Sequence, residues 1–172
     1  MSDTTALTSL LFEKIEQQFE LAIALVAIVP ADQLEWQPAA NTFRLNQLLG
    51  HLLEAAAGFC AALYRFKPQE LAGFERLRGL PVNHRCGVEE AAARLSDYLA
   101  HLREGFATLD DADLARRWPT VFVPAGEAAL TILLTNLEHF INHKHQLFFY
   151  LKLLGVAVTT AQLYEIKTPP AT

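Results

Sequence analysis

Two of the six histidines in this 172-residue chain, His139 and His143, stand four positions apart in a stretch with helical periodicity. Because an α-helix turns 100° per residue, four steps bring two side chains to within about 40° of one another on one face. Two imidazoles at this spacing can bind one metal ion, as they do in the His-x-x-x-His helices of zinc sites. His145 points about 120° away from that face and is not expected to join the site.

A third ligand for such an ion would come from another helix, and His51 is the natural candidate. It lies in the otherwise apolar, small-residue stretch LLGHLLEAAAG. Glu54 follows three positions later and could orient an imidazole or a bound water molecule. Gln146 and Tyr150 continue the polar face of the later helix, which favours a wet pocket between helices. A three-histidine site would leave a coordination position open and would lower the pKa of a bound water or thiol.

The same residues have interpretations without a metal. Two histidines at this spacing are more often solvated or hydrogen-bonded than bound to a metal. A single histidine such as His51 is more often a core residue whose hydrogen bonds are made within the protein. We expect His84 and His101 to be ordinary surface residues and Cys60 to be a small apolar core residue. The chain lacks Glu-x-x-His pairs and the HExxH motif, which excludes a ferritin-like di-iron centre and that class of zinc protease.

Composition narrows the classes of function. The formal charge is −5, with 14 basic against 19 acidic residues, which argues against a broad basic surface that binds nucleic acid. The longest apolar stretch, 21–29, is too short to span a bilayer, and no signal peptide is recognisable. The two cysteines, Cys60 and Cys86, form no CxxC motif. We therefore expect a cytoplasmic protein that acts on a small-molecule substrate, without nucleic-acid or membrane partners.

Helical periodicity dominates the chain and predicts an all-α fold, a four-helix bundle with short extra helical segments. The first long helix carries an apolar stripe over 7–27, with N-cap candidates at Ser2, Asp3 and Thr4 and an end at Pro30. The other long helices are predicted over 43–66, 88–109 and from 126 or 127 to 154, and short helical segments over 69–77, 110–117 and 160–166. Pro119 and Pro124 confine the stretch 118–123 to an extended loop or edge segment. A single domain is expected over 1–167, followed by a frayed tail over 168–172.

Two stretches resemble a known family. The stretch AIVPADQLEWQPAANTFRLNQLLGHLLEA resembles the entry to the second helix of the DinB/YfiT-like superfamily, and HFINHKHQLFFYLKLLG is similar to its fourth helix. His51, His139 and His143 fall at the three matching ligand positions, and Gln146 matches a glutamine that usually follows. The resemblance implies an up-down-down-up bundle, often dimeric, that binds one divalent ion, such as zinc or nickel, through three histidines.

The resemblance also implies a class of activity. Characterised relatives include low-molecular-weight-thiol S-transferases and a mycothiol-dependent maleylpyruvate isomerase. It therefore implies a divalent-metal-dependent thiol S-transferase or hydrolase, with a low-molecular-weight thiol as a candidate cosubstrate. The alternatives are a non-enzymatic metal-binding or interaction module with a structural ion, and a helical scaffold with three buried neutral histidines.

The residues also bear on assembly and on departures from the family. Phe148 and Phe149 cannot both face one core, which together with the resemblance favours a homodimer. The alternative is that the short helical segment predicted over 160–166 covers the outward ring. Two positions depart from the family pattern. His145 stands where many relatives have glycine, and Arg44 stands where a serine N-cap is common.

Overall fold

The structure, a computed structural model, describes residues 6–164 and contains six α-helices and two short strands in that range. The helices are α1 Leu7–Ala27, α2 Leu45–Phe66, α3 Glu75–Arg78, α4 Val88–Phe106, α5 Asp111–Ala115 and α6 Ala129–Leu153, the strands are β1 Arg117–Trp118 and β2 Glu127–Ala128, and 3-10 turns lie at Ala31–Gln33, Ala72–Phe74 and Thr160–Gln162. The predicted all-α class is confirmed. The predicted tail, 168–172, lies outside the described residues.

Four long helices form the bundle, in which α2 packs against α4 and α6, and α1 packs against the same two helices. Three fully buried rings meet at its centre: Phe19 from α1, Phe59 from α2 and Phe140 from α6. The Phe19 and Phe140 rings stack with centroids 4.4 Å apart, and the Phe59 ring meets Phe19 edge-on at 5.7 Å. Such aromatic pairs stabilise a core beyond the area that they bury. Since Phe140 directly follows His139, this core also positions the histidine-bearing segment of α6.

The start of α2 is held by the loop that precedes it. The backbone N–H groups of Leu45 and Asn46 donate to the carbonyl oxygens of Trp36 and Leu34, each at 2.9 Å. These bonds satisfy N–H groups that a helix start otherwise leaves without partners. They also explain why α2 begins at Leu45 rather than at the predicted residue 43.

The start of α1 is capped by a side chain from far along the chain. The Asp111 carboxylate, in the first turn of α5, accepts hydrogen bonds from Leu7 N at 3.0 Å and from Thr8 N at 2.9 Å. Hydrogen bonds from the Thr8 and Leu7 amides lower the pKa of Asp111. A carboxylate at this position also complements the positive end of the helix dipole.

The start of α6 is delayed by strand pairing. The antiparallel ribbon pairs Arg117 with Ala128 and Trp118 with Glu127. Because 127–128 are extended, α6 begins at Ala129, two or three residues after the predicted start at 126 or 127. Likewise α4 ends at Phe106 rather than at 109, because the chain turns there toward Asp110, whose side chain caps α5.

One surface prediction is wrong. His101 of α4 is buried, because the Phe74 ring lies over it with centroids 5.0 Å apart. Burial lowers the pKa of His101, although its neighbour Glu104 acts in the opposite direction. Cys60 is fully buried as expected, and burial raises the pKa of its thiol.

Lys144 of α6 is the most buried charged side chain of the described residues, at 1% exposure. Its Nζ donates to Gln18 Oε1 at 2.6 Å and to the Leu163 carbonyl at 2.9 Å. Burial lowers its pKa to about 8. The lysine thereby connects α6 to α1 and to the segment after α6.

Across residues 6–164, no helix combines the length and apolarity needed to cross a membrane.

Candidate metal centre

The structure brings His51, His139 and His143 together between α2 and α6. One ring nitrogen from each lies within 4.8 Å of the others. The Nε2 atoms of His51 and His139 are 3.4 Å apart. The His143 ring centroid lies 4.3 Å from that of His51 and 4.8 Å from that of His139. A pair of imidazoles from α6 and a single imidazole 88 positions before His139 thus converge on one point.

The spacing of the facing nitrogens matches shared coordination better than a direct hydrogen bond. Zinc–nitrogen bonds of about 2.0–2.1 Å at a tetrahedral angle place two ligand nitrogens roughly 3.3–3.4 Å apart. The observed separation of the His51 and His139 Nε2 atoms is 3.4 Å. Direct N–H hydrogen bonds cluster near about 2.9–3.0 Å. The donor set therefore fits a divalent ion.

The outward nitrogens of two rings face polar side chains. His51 Nδ1 lies 2.7 Å from Glu54 Oε2, and His143 Nδ1 lies 3.0 Å from Gln146 Oε1. Gln146 Nε2 in turn donates to the Tyr150 hydroxyl at 3.1 Å. A partner on Nδ1 selects the tautomer whose Nε2 is free to bind a metal. The three residues expected to support the site thus lie against its histidines or one bond further out.

Burial keeps two of the rings neutral. Burial, followed by the neighbouring His51, lowers the pKa of His139. Burial also lowers the pKa of His143, with His51 and His139 acting in the same direction and Gln146 opposing them. Neutral imidazole is the form that binds a metal. The lowered pKa values of His139 and His143 therefore favour the metal-binding form of these two rings.

A polar cleft of about 860 Å³ opens beside the histidines. The Phe43 ring forms its inner wall, with its centroid 5.0 Å from that of His51 and 6.2 Å from that of His143. The cleft is lined by Gln37, Ala40, Asn41, Thr42, Phe43, Arg44, Gln47 and Gln146. From the sequence, residues 31–42 were predicted as an ordered loop, and residues 43 and 44 as the start of the second helix. The role of 37–44 as a cleft wall depends on the bonds that fold this segment over the start of α2.

The remaining histidines lie elsewhere. His145 is outside the group, as its angular position predicts, and its ring faces Tyr164 at 6.3 Å. His84 is only partly exposed and contacts Glu90, with its Nε2 3.0 Å from Glu90 Oε1. It belongs to a second set of ligand-type side chains with Cys86 and Glu90, which the sequence analysis missed. The available signal was the spacing His-x-Cys-x-x-x-Glu across a loop and the start of a helix.

The fold and the site place the protein among all-α helical bundles that carry a three-histidine group between two helices. Comparison with known proteins gives the family. The model of the DinB superfamily matches residues 14–147, so the chain belongs to the DinB superfamily. The crystal structure of a DinB-like protein (YjoA) from Bacillus subtilis is similar, with a TM-score of 0.64 and 15% sequence identity, over 84% of this chain and 92% of that chain. That likeness concerns the fold. Among curated proteins, none matches.

Proposed function

We propose that the protein is a divalent-metal-dependent enzyme that acts on a small molecule, as a thiol S-transferase or a hydrolase. His51, His139 and His143 would bind the ion, with zinc or nickel as the preferred metals. The observation that carries the proposal is the 3.4 Å separation of the facing Nε2 atoms of His51 and His139. Contacts of the outward nitrogens with Glu54 and Gln146 support it.

When bound, the ion would act as a Lewis acid and would lower the pKa of a water or thiol at its open position. The protein's own groups set the conditions for that chemistry. The Glu54 carboxylate lies 2.7 Å from the outward nitrogen of His51, and Gln146, which donates to Tyr150, hydrogen bonds with the outward nitrogen of His143. The Phe43 ring packs against the His51 ring, and Phe43 also lines the polar cleft, which could hold a small molecule next to the site.

The charge of the ligand set bears on the reaction type. Three neutral imidazoles leave the charge of a divalent ion uncompensated, and the nearby Glu54 carboxylate offsets only part of it. Such a site favours an anionic nucleophile. Both a thiolate and hydroxide meet this requirement, which is why transfer from a thiol and hydrolysis are proposed together.

Metal analysis tests the ligand assignment. Protein prepared with zinc or nickel present is expected to retain about one ion at this centre. His139→Ala should lose that ion, whereas His145→Ala on the same helix should keep it. Equal metal content in these two variants would remove the basis of the proposal.

Activity and stability together separate an enzyme from a module with a structural ion. The metal-loaded protein is offered a low-molecular-weight thiol with a generic electrophile and, separately, an activated ester. We expect turnover that His51→Ala abolishes, together with a modest loss of Tm on chelation. A large loss of Tm without turnover would instead identify the ion as structural, since binding free energy would then be folding free energy.

A further inference from the structure

A second set of metal-ligating side chains lies in the connection that enters α4. It contains His84 and Cys86 from the loop and Glu90 from the first turn of α4. One ligand-type atom from each residue lies within 4.8 Å of the others. We propose that His84, Cys86 and Glu90 form a second metal site that takes zinc, separate from the three-histidine centre.

The loop backbone is already held in place without an ion. Asn83 N donates to Gly50 O at 2.9 Å, and Cys86 N donates to Asn46 O at 3.0 Å, which attaches the loop to α2. The contact is so close that a Cβ atom on Gly50 would lie 1.8 Å from the His84 carbonyl oxygen. Ligands on a rigid support need little reorganisation to bind an ion.

The donor set matches zinc chemistry. Imidazole nitrogen, thiolate sulfur and carboxylate oxygen are the three ligand types that zinc takes in proteins. Cys86 is 2% exposed. His84 Nδ1 is buried and has no hydrogen-bond partner. The other ring nitrogen, Nε2, lies 3.0 Å from Glu90 Oε1 and therefore faces the rest of the ligand set.

Loss of the thiol proton would bring the loaded site close to electrical neutrality. Without an ion, the Cys86 thiol donates to the Gly87 carbonyl oxygen at 3.3 Å. Zinc would displace that proton to the solvent, and the Cys86 thiolate and the Glu90 carboxylate would then compensate its two charges. Arg94 Nη1 lies 3.3 Å from Glu90 Oε1 and would leave the loaded site with one net positive charge.

Cobalt substitution tests the site, because only this set offers a thiolate. Titration of the metal-free protein with Co²⁺ is expected to give thiolate-to-cobalt charge-transfer absorption. The absorption should persist in His139→Ala and in the matched control Cys60→Ala, and it should vanish in Cys86→Ser. Persistence in His139→Ala shows independence from the three-histidine centre, so failure of one site does not imply failure of the other.

Zinc stoichiometry gives a second measurement that does not depend on cysteine replacement. His84→Gln should bind one zinc ion fewer per chain than the wild type, while circular dichroism confirms that it remains folded. The proposal is overturned if the wild type gives no charge-transfer absorption with Co²⁺, if Cys86→Ser retains it, or if folded His84→Gln binds as much zinc as the wild type.

Discussion

The two sets of ligand-type side chains are built in opposite ways. The three-histidine group joins α2 and α6 across 88 positions of sequence, and two long helices position it. The set of His84, Cys86 and Glu90 spans seven consecutive positions, and an irregular loop positions it. The first therefore depends on packing of the bundle core, and the second depends on how the loop attaches to α2.

Their electrostatics differ as well. In the first group burial and neighbouring histidines lower the pKa of His139 and His143, and the carboxylate of Glu54 faces only an outward nitrogen of His51. In the second set the Glu90 carboxylate faces His84 directly and already has Arg94 as a counter-ion. Burial raises the pKa of Glu90, but contacts with Arg94 and His84 outweigh burial, so the pKa is lowered. The first group therefore has no carboxylate among its facing nitrogens, whereas the second set contains one that already has a cationic partner.

Gly50→Ala should give the largest effect and should separate the two sets. A Cβ atom would lie 1.8 Å from the His84 carbonyl oxygen, so the loop must move and the bonds from Asn83 and Cys86 must break. We expect a loss of about 3 kcal/mol in the free energy of unfolding, measured by urea denaturation. Gly73→Ala is the control, because a Cβ there meets nothing within 4 Å. Equal effects of the two substitutions would contradict the close approach.

Glu54→Gln tests the support of the first group and should leave the second unchanged. Loss of the carboxylate at His51 Nδ1 is expected to weaken metal binding at the three-histidine centre about 10- to 100-fold. Competition with a chelator of known affinity measures the change. Glu138→Gln, an exposed neighbour of His139 on α6, is the matched control. If both variants bind equally well, the contact with Glu54 does not tune the metal centre.

His101 provides a buried histidine that belongs to neither set. Its pKa is lowered in the folded state, so the unfolded state takes up the proton first as the pH falls through about 6.5. Stability is therefore full above that pH and is lost progressively below it, until the folded pKa is reached. In chelator-treated protein, Tm should fall less between pH 7.5 and 5.5 in His101→Phe than in the wild type. An unchanged slope, with His145→Ala as the control, would show that His101 does not contribute.

The smallest effect on the fold is expected from Phe149→Ser. Phe148 is buried at 4% exposure, whereas Phe149 is 58% exposed on α6. The expected homodimer would use such exposed apolar side chains. We predict that the substitution shifts the sedimentation coefficient toward that of a monomer and changes the free energy of unfolding by less than about 0.5 kcal/mol. A wild-type protein that sediments as a monomer would contradict the prediction.

Periodicity along the chain made much of this structure predictable. The helical step placed His139 and His143 on one face, and the same pattern predicted the long helices to within a few residues at their ends. The contact of Gln146 with His143 also follows from spacing on one helix, since positions three apart are neighbours. The choice of His51 as the third residue depended on the family resemblance as well as on its apolar surroundings.

The features that the sequence did not predict depend on contacts between distant segments. The position of His84 depends on the missing side chain of Gly50, and no local pattern links those two residues. Burial of His101 depends on a turn that carries Phe74 across α4. The delayed start of α6 depends on pairing with β1, whose two residues are too few to give an alternating pattern.

The cap on α1 has a consequence for the order in which the protein acquires structure. Leu7 N donates to a carboxylate 104 positions later, so α1 leaves the ribosome long before Asp111 has been synthesised. Until then its first turn lacks that acceptor, and helix ends without partners fray. In a ribosome-bound nascent chain that stops before α5, the N-terminal turn of α1 should therefore be frayed. It should become ordered only after the polypeptide has grown past Asp111.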